Sequence, residues 1–110
     1  MLFPGAMTQS GEQGVVEQMH VDVISNITHD NQSFTQGLLI SNGSIFESTG
    51  MYGLSKLNEI NINTGDVIRT VNLSENYFGE GLAIVDDNLI QLTWKENTAL
   101  VWNIENFTII

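Results

Sequence analysis

Short apolar stretches alternate with polar, turn-forming residues along most of this chain, and no long segment has helical periodicity. From residue 34 onward the alternation predicts seven β-strands and the start of an eighth. They lie at 36–40, 44–49, 55–62, 67–73, 81–85, 89–93, 99–104 and, for the last, 107–110. Residues 19–24 alternate in the same way and predict an earlier strand. The pattern is that of an all-β protein.

A repeated phrase divides these strands into two groups. Residues 34–38 (FTQGL) return 44 residues later (78 − 34) as residues 78–82 (FGEGL). Three further identities fit the same offset: Ile40 with Ile84, Thr49 with Thr93, and Ile60 with Ile104. A repeat of about 40–45 residues containing about four strands is typical of a β-propeller blade. We therefore predict a β-propeller fragment with blade-like repeats at 34–77 and 78–110, the second incomplete.

The repeat also predicts the domain organisation. We expect a loose N-terminal leader at 1–18 and an incomplete propeller at 19–110. Known propellers use about 4–8 blades, so two copies cannot close a ring. The chain is therefore expected to be the N-terminal part of a longer protein. Uncovered blade edges would then offer a route to self-association.

Charge narrows the range of partners. The net charge is −10, with thirteen acidic residues and only three bases, Lys56, Arg69 and Lys95. Without a basic patch we expect no nucleic acid partner and no binding to anionic membranes. The chain has no cysteine, which excludes disulfides and thiol catalysis.

The most suggestive candidate residue is an acid that replaces an amide between the two copies. The first strand of each propeller blade lines the central channel. Gln36 and Glu80 occupy the same place in the repeat, so we expect them close together at one channel mouth. The glycines beside them, Gly37, Gly79 and Gly81, would allow a ligand or a strand to approach closely. The alternative is that the motif only packs blades and that Glu80 is a solvated loop acid.

Aromatic residues surround the proposed mouth. Phe34 and Phe78 precede the amide and the acid, and Trp94 stands where the first copy has Gly50. Trp94 is either a pocket wall or an inter-blade packing residue. Trp102 is assigned to packing. The His29–Asp30 pair is interpreted as a structural polar contact rather than an acid–base pair. Two isolated histidines do not make a zinc signature, so no metal site is predicted.

Taken together, five motifs resemble the glutaminyl-peptide cyclotransferase family of plants and bacteria, in order and register, over about residues 21–107. They are 29–30 (HD), 34–38 (FTQGL), 46–53 (FESTGMYG), 77–82 (YFGEGL) and 91–95 (QLTWK). The resemblance implies a five-bladed propeller with four-stranded antiparallel blades, of which about two would lie here. It also implies an enzyme that converts the N-terminal glutamine of a peptide to pyroglutamate and releases ammonia.

The resemblance further implies roles for single residues. Glu80 matches the family's catalytic acid, and Phe34, Gln36, Phe78 and Trp94 match residues that bind the substrate. No redox or organic cofactor is implied, although family analogy extends to a structural calcium in the channel. Export to the periplasm or the cell exterior is expected. Later blades would contribute further site residues, so these 110 residues alone are expected to be inactive. The alternatives are a non-catalytic propeller used for binding, an inactive fragment, and the assembly of several copies of this chain into a ring.

Overall fold

The computed structural model describes residues 14–110, which contain seven strands and no helix. The strands are β1 (Thr35–Ser41), β2 (Ser44–Thr49), β3 (Lys56–Asn61), β4 (Val67–Asn72), β5 (Gly79–Val85), β6 (Asn88–Thr93) and β7 (Ala99–Asn103). The predicted all-β class is confirmed. Residues 14–110 therefore include no candidate for a membrane-spanning helix.

The strands form two antiparallel sheets in which neighbours in sequence are neighbours in space. The first sheet has the order β1-β2-β3-β4 and the second the order β5-β6-β7. Tight turns make this possible. Asn42 (φ 50°) and Gly43 (φ 79°) join β1 to β2 with left-handed backbone, which two-residue hairpin turns require. The two sheets are those of a propeller fragment, with each repeat forming one sheet.

The first strands of the two sheets, β1 and β5, lie against each other. Glycine makes this approach possible. A Cβ at Gly37 would lie 2.9 Å from the Leu82 amide nitrogen, and one at Gly79 would lie 2.5 Å from the Thr49 carbonyl oxygen. A side chain at either position would push backbone atoms apart. The close approach predicted for these two glycines is confirmed, whereas a Cβ at Gly81 would meet only a leucine methyl at 3.7 Å.

An apolar core joins the sheets behind these strands. Its buried members are Phe46, Leu57, Leu73, Leu89, Leu100, Trp102 and Phe107. Trp102 is 3% exposed, which confirms its assignment to packing. At the periphery Arg69 of β4 donates to the carbonyl oxygens of Ile104 and Glu105 in the second unit. Its guanidinium carbon lies 3.9 Å from the centre of the Phe107 ring.

The pairing register corrects one predicted match. Ile60 pairs with Ile45 in the first sheet, whereas Leu89, the equivalent of Ile45, pairs with Trp102 in the second. Trp102, and not Ile104, is therefore the structural counterpart of Ile60. The offset between the copies falls from 44 residues to 42 (102 − 60), because eight residues separate the paired Ser48 and Leu57 and only six separate the paired Leu92 and Ala99.

Two other expectations differ from the structure. Residues 19–24 form no strand, and Val21 is 90% exposed. An alternating segment becomes a strand only beside a partner, and none lies beside it among residues 14–110. The strand expected at 107–110 is reduced to a single antiparallel bridge between Trp102 and Ile109. The first thirteen residues of the predicted leader lie outside the described part of the chain.

Candidate active site

Gln36 and Glu80 lie in β-bulges at the same place in the two sheets. The pairing of β1 with β2 shifts between Thr35 and Gly37, and that of β5 with β6 shifts between Gly79 and Leu82. A bulge redirects the side chain that it carries, and bulges are common beside active sites. Both side chains are half-buried. The repeat thus places an amide and an acid at equivalent points of two adjacent strands.

Phe78 is the centre of an aromatic cluster formed by Phe34, Tyr52, Phe78 and Trp94. The ring centre of Phe78 lies 6.2 Å from that of Phe34, 5.5 Å from that of Tyr52 and 5.3 Å from that of Trp94. Phe78 is buried, whereas the other three side chains are 48–52% exposed. The structure therefore brings together all three predicted aromatic residues and adds Tyr52, which the sequence analysis missed.

Backbone contacts fix the cluster in both copies. The amide of Gly50 donates to the Phe34 carbonyl at 2.9 Å, and at the equivalent place the amide of Trp94 donates to the Phe78 carbonyl at 3.0 Å. Gly50 has to be glycine, because a Cβ there would lie 2.3 Å from Cε1 of the Phe78 ring. The two copies therefore differ at this position of the repeat. The first leaves space for Phe78, and the second fills the equivalent position with Trp94.

A carboxylate supports the cluster from the second sheet. Tyr52 donates its hydroxyl to Oε2 of Glu96 at 2.6 Å, and the amide of Phe78 donates to Oε1 at 3.3 Å. The hydrogen bond to Glu96 raises the pKa of Tyr52. The same bond is the main reason that the pKa of Glu96 is lowered. The Lys95 ammonium lies 4.1 Å from the centre of the Trp94 ring.

A second acid, Glu47, is buried inside the first sheet and was also missed from sequence. It is 1% exposed and accepts hydrogen bonds from His29 at 2.7 Å, Thr35 at 2.5 Å and Asn58 at 3.0 Å. Burial acts to raise the pKa of Glu47, but these hydrogen bonds and the charge of His29 outweigh burial and lower it. The structural contact predicted for His29 exists, with Glu47 as the partner instead of Asp30.

Gln91 occupies the position of Glu47 in the second copy, 44 residues later (91 − 47). It is fully buried, accepts from the Trp102 indole at 2.9 Å and donates to the Ser48 hydroxyl at 2.7 Å. The copies thus have opposite arrangements. The first holds its acid inside the sheet and an amide at the bulge, and the second holds an amide inside and its acid, Glu80, at the bulge.

Among residues 14–110 no three histidine, aspartate or glutamate side chains come together as metal ligands. For the structural calcium to which family analogy extends, no chemical step is assigned. A surface cavity lined by Asp30, Phe34, Gly50, Met51 and Lys56 adjoins the aromatic cluster through Phe34. The described residues thus offer Gln36 and Glu80 at equivalent bulges, and an aromatic cluster centred on Phe78.

Comparison with known proteins identifies a family and a relative. The family described as Glutamine cyclotransferase matches residues 2–110. A curated Arabidopsis thaliana protein named Glutaminyl-peptide cyclotransferase is 37% identical over 89 residues. That alignment covers 80% of this chain but only 28% of the relative. The chain therefore spans well under two thirds of the length of the curated relative that it matches.

Proposed function

Because this chain belongs to the glutamine cyclotransferase family, we propose that it is the N-terminal part of a glutaminyl-peptide cyclotransferase. Its substrate would be a peptide or protein that begins with glutamine, and its products pyroglutamate and ammonia. The observation that carries the proposal is the placement of Glu80 at a β-bulge, on a strand that packs against the one carrying Gln36.

The proposed reaction needs one group that can both accept and donate a proton. The α-amino nitrogen of the substrate attacks the carbonyl carbon of its own side-chain amide, and a new carbon–nitrogen bond closes a five-membered ring. The bond to the amide nitrogen then breaks, and that nitrogen leaves as ammonia. Glu80 takes the proton from the attacking amine and returns it to the leaving nitrogen, so that its carboxyl group is regenerated.

The other predicted residues would bind and orient the substrate. Since the reaction is intramolecular, most of the acceleration comes from holding the amine against the amide carbon. Phe34, Phe78 and Trp94 provide apolar surface for this, and the Gln36 side chain can hydrogen-bond an amide or amine. The remaining site residues would come from the part of the proposed longer protein that corresponds to the unaligned part of the relative. We also infer export from the cell, on the family resemblance.

The test is mass spectrometry of a peptide that begins with glutamine, incubated with the protein encoded by the complete gene that contains this chain. We expect the product to be lighter by one ammonia and Glu80→Gln to slow its formation by about 10²–10⁴-fold, the usual contribution of a general acid–base. Glu75→Gln, at an exposed acid in the preceding turn, is the control. Unchanged turnover in Glu80→Gln would remove Glu80 from the mechanism. Peptide binding without ammonia release would favour a non-catalytic binding module.

A further inference from the structure

Tyr52 and Glu96 occupy the same position of the repeat and bond to each other across the two sheets. They lie 44 residues apart, in the loop after β2 and in the loop after β6. The phenol donates to the carboxylate at 2.6 Å. The Tyr52–Glu96 hydrogen bond, called the clasp below, therefore joins the two repeats.

The clasp acts directly on the aromatic cluster. One oxygen of Glu96 holds the Tyr52 hydroxyl, and the other accepts from the backbone amide of Phe78. The Tyr52 ring meets the Phe78 ring edge-on, at an interplanar angle of 71°. A single carboxylate thus sets the positions of the cluster's central residue and of one of its outer walls.

Tyr52 remains accessible although its hydroxyl is engaged. Its side chain is 48% exposed, close to the values for Phe34 and Trp94. Around neutral pH the Glu96 carboxylate is ionised and the Tyr52 phenol protonated, and their hydrogen bond lowers the pKa of Glu96 and raises that of Tyr52. The ring is therefore held in a fixed orientation while part of its surface faces solvent, as expected of a residue that contacts a ligand.

We propose that Tyr52 is a substrate-contacting wall of the peptide site, and that Glu96 is a positioning residue that acts through Tyr52 and Phe78. The inference rests on the proposed function for the identity of the ligand, a peptide that begins with glutamine. It adds to the predicted site a residue pair that joins the two sheets.

The experiment measures peptide binding separately from turnover. A glutamine-initiated peptide is titrated, by calorimetry, into the complete gene product that carries Glu80→Gln, so that the ligand is not consumed. Tyr52→Phe is expected to weaken binding about fivefold, the typical effect of one net hydrogen bond, and Glu96→Ala at least as much, because Ala removes the acceptor of both Tyr52 and the Phe78 amide. The double variant should lose about as much as Glu96→Ala alone, well below the product of the two single losses, because both changes remove the Tyr52–Glu96 bond. Tyr52→Ala should lose tenfold or more, in the range of aromatic hot spots.

Matched measurements separate positioning from simple stabilisation. Tyr77→Phe, a change at a tyrosine packed on the core, should leave the dissociation constant unchanged. In the catalytically intact protein, which keeps Glu80, substitutions of Tyr52 or Glu96 should raise KM more than they lower kcat. Multiplicative losses in the double variant, or a lower melting temperature with unaltered binding, would show that Glu96 does not act through Tyr52.

The two proposals fail in different ways. Peptide binding that depends on Tyr52, with no release of ammonia by the intact protein, would refute the proposed reaction and leave this inference standing. Ammonia release together with unchanged peptide affinity in Tyr52→Ala would refute this inference alone. If the protein binds no glutamine-initiated peptide, the proposal that Tyr52 contacts the substrate is also refuted.

Discussion

At the scale of single residues, the two copies differ by a reciprocal exchange of acid and amide. A buried carboxylate is costly unless hydrogen bonds compensate for its lost hydration. The first copy supplies three donors to Glu47. The second copy buries the neutral Gln91 instead and places its acid at the bulge. The buried carboxylate is thus held by donors, whereas Glu80, the acid of the second copy, lies half-buried at the bulge.

This network makes a prediction about pH. The pKa of Glu47 is lowered in the folded protein, so its contribution to stability is present above the pKa of an unfolded glutamate and is lost as pH falls through the folded value. At neutral pH we expect Glu47→Gln to reduce the free energy of unfolding by about 1–3 kcal/mol, the cost of disrupting a buried hydrogen-bonded group. Urea unfolding of both proteins across the acid range measures the difference.

The difference between wild type and Glu47→Gln should shrink as pH falls, because both side chains are then neutral. Glu75→Gln, at an exposed acid, should show no such difference at any pH. A gap that stays constant from neutral to acid pH would contradict the assignment of an ionised Glu47 to the folded state.

The buried polar residues Glu47 and Gln91 were not predicted from the sequence. Glu47 and Gln91 lie in stretches whose alternation predicts strands correctly, but alternation does not say which polar side chains are buried. The signal was present in the repeat, since both residues share the offset of Gln36 and Glu80. Tyr52 and Glu96 share it too, but they lie in loops, where the repeat does not determine which side chains come into contact.

At the scale of elements, packing between sheets depends on glycines in the first strands. We expect Gly79→Ala to cost about 1–3 kcal/mol of unfolding free energy, in the range of overpacking. The added methyl would collide with the Thr49 carbonyl, a backbone atom that cannot turn aside. Gly81→Ala is the matched control two residues away, where the nearest atom lies at 3.7 Å. Equal stabilities of the two alanine variants, measured by thermal unfolding, would contradict this account of the interface.

The elements themselves were largely predictable, because seven strands separated by tight turns leave a strong alternating pattern. Their bounds were wrong mainly at the bulges. β1 and β5 begin at Thr35 and Gly79, before the predicted starts, because a bulge breaks the two-residue period by which strands are found. The shorter loop before β7 was hidden by a chance identity between Ile60 and Ile104. Residues 19–24 have a strand pattern, but pairing is a tertiary property that their sequence does not determine.

At the scale of the whole molecule, exposed apolar surface favours association between copies of the chain, whereas net charge opposes it. Val21, Val23, Ile109 and Ile110 are 55% or more exposed, and β4 pairs only with β3 among the strands of residues 14–110. Exposed strand edges and apolar side chains favour pairing between copies. A net charge of −10 makes copies repel each other at low ionic strength.

We therefore expect the 110-residue chain, expressed by itself, to self-associate in a salt-dependent way. Added salt shortens the Debye length to about 8 Å at 0.15 M, which screens the repulsion and leaves the apolar and backbone contacts intact. Sedimentation velocity at several concentrations should show larger species as sodium chloride increases. The longer protein proposed above is the control and should associate less, because additional blades would cover these edges. A monomer at every salt concentration would show that the exposed edges are not adhesive. Association that weakens with salt would show that ion pairs, rather than edges and apolar residues, hold the copies together.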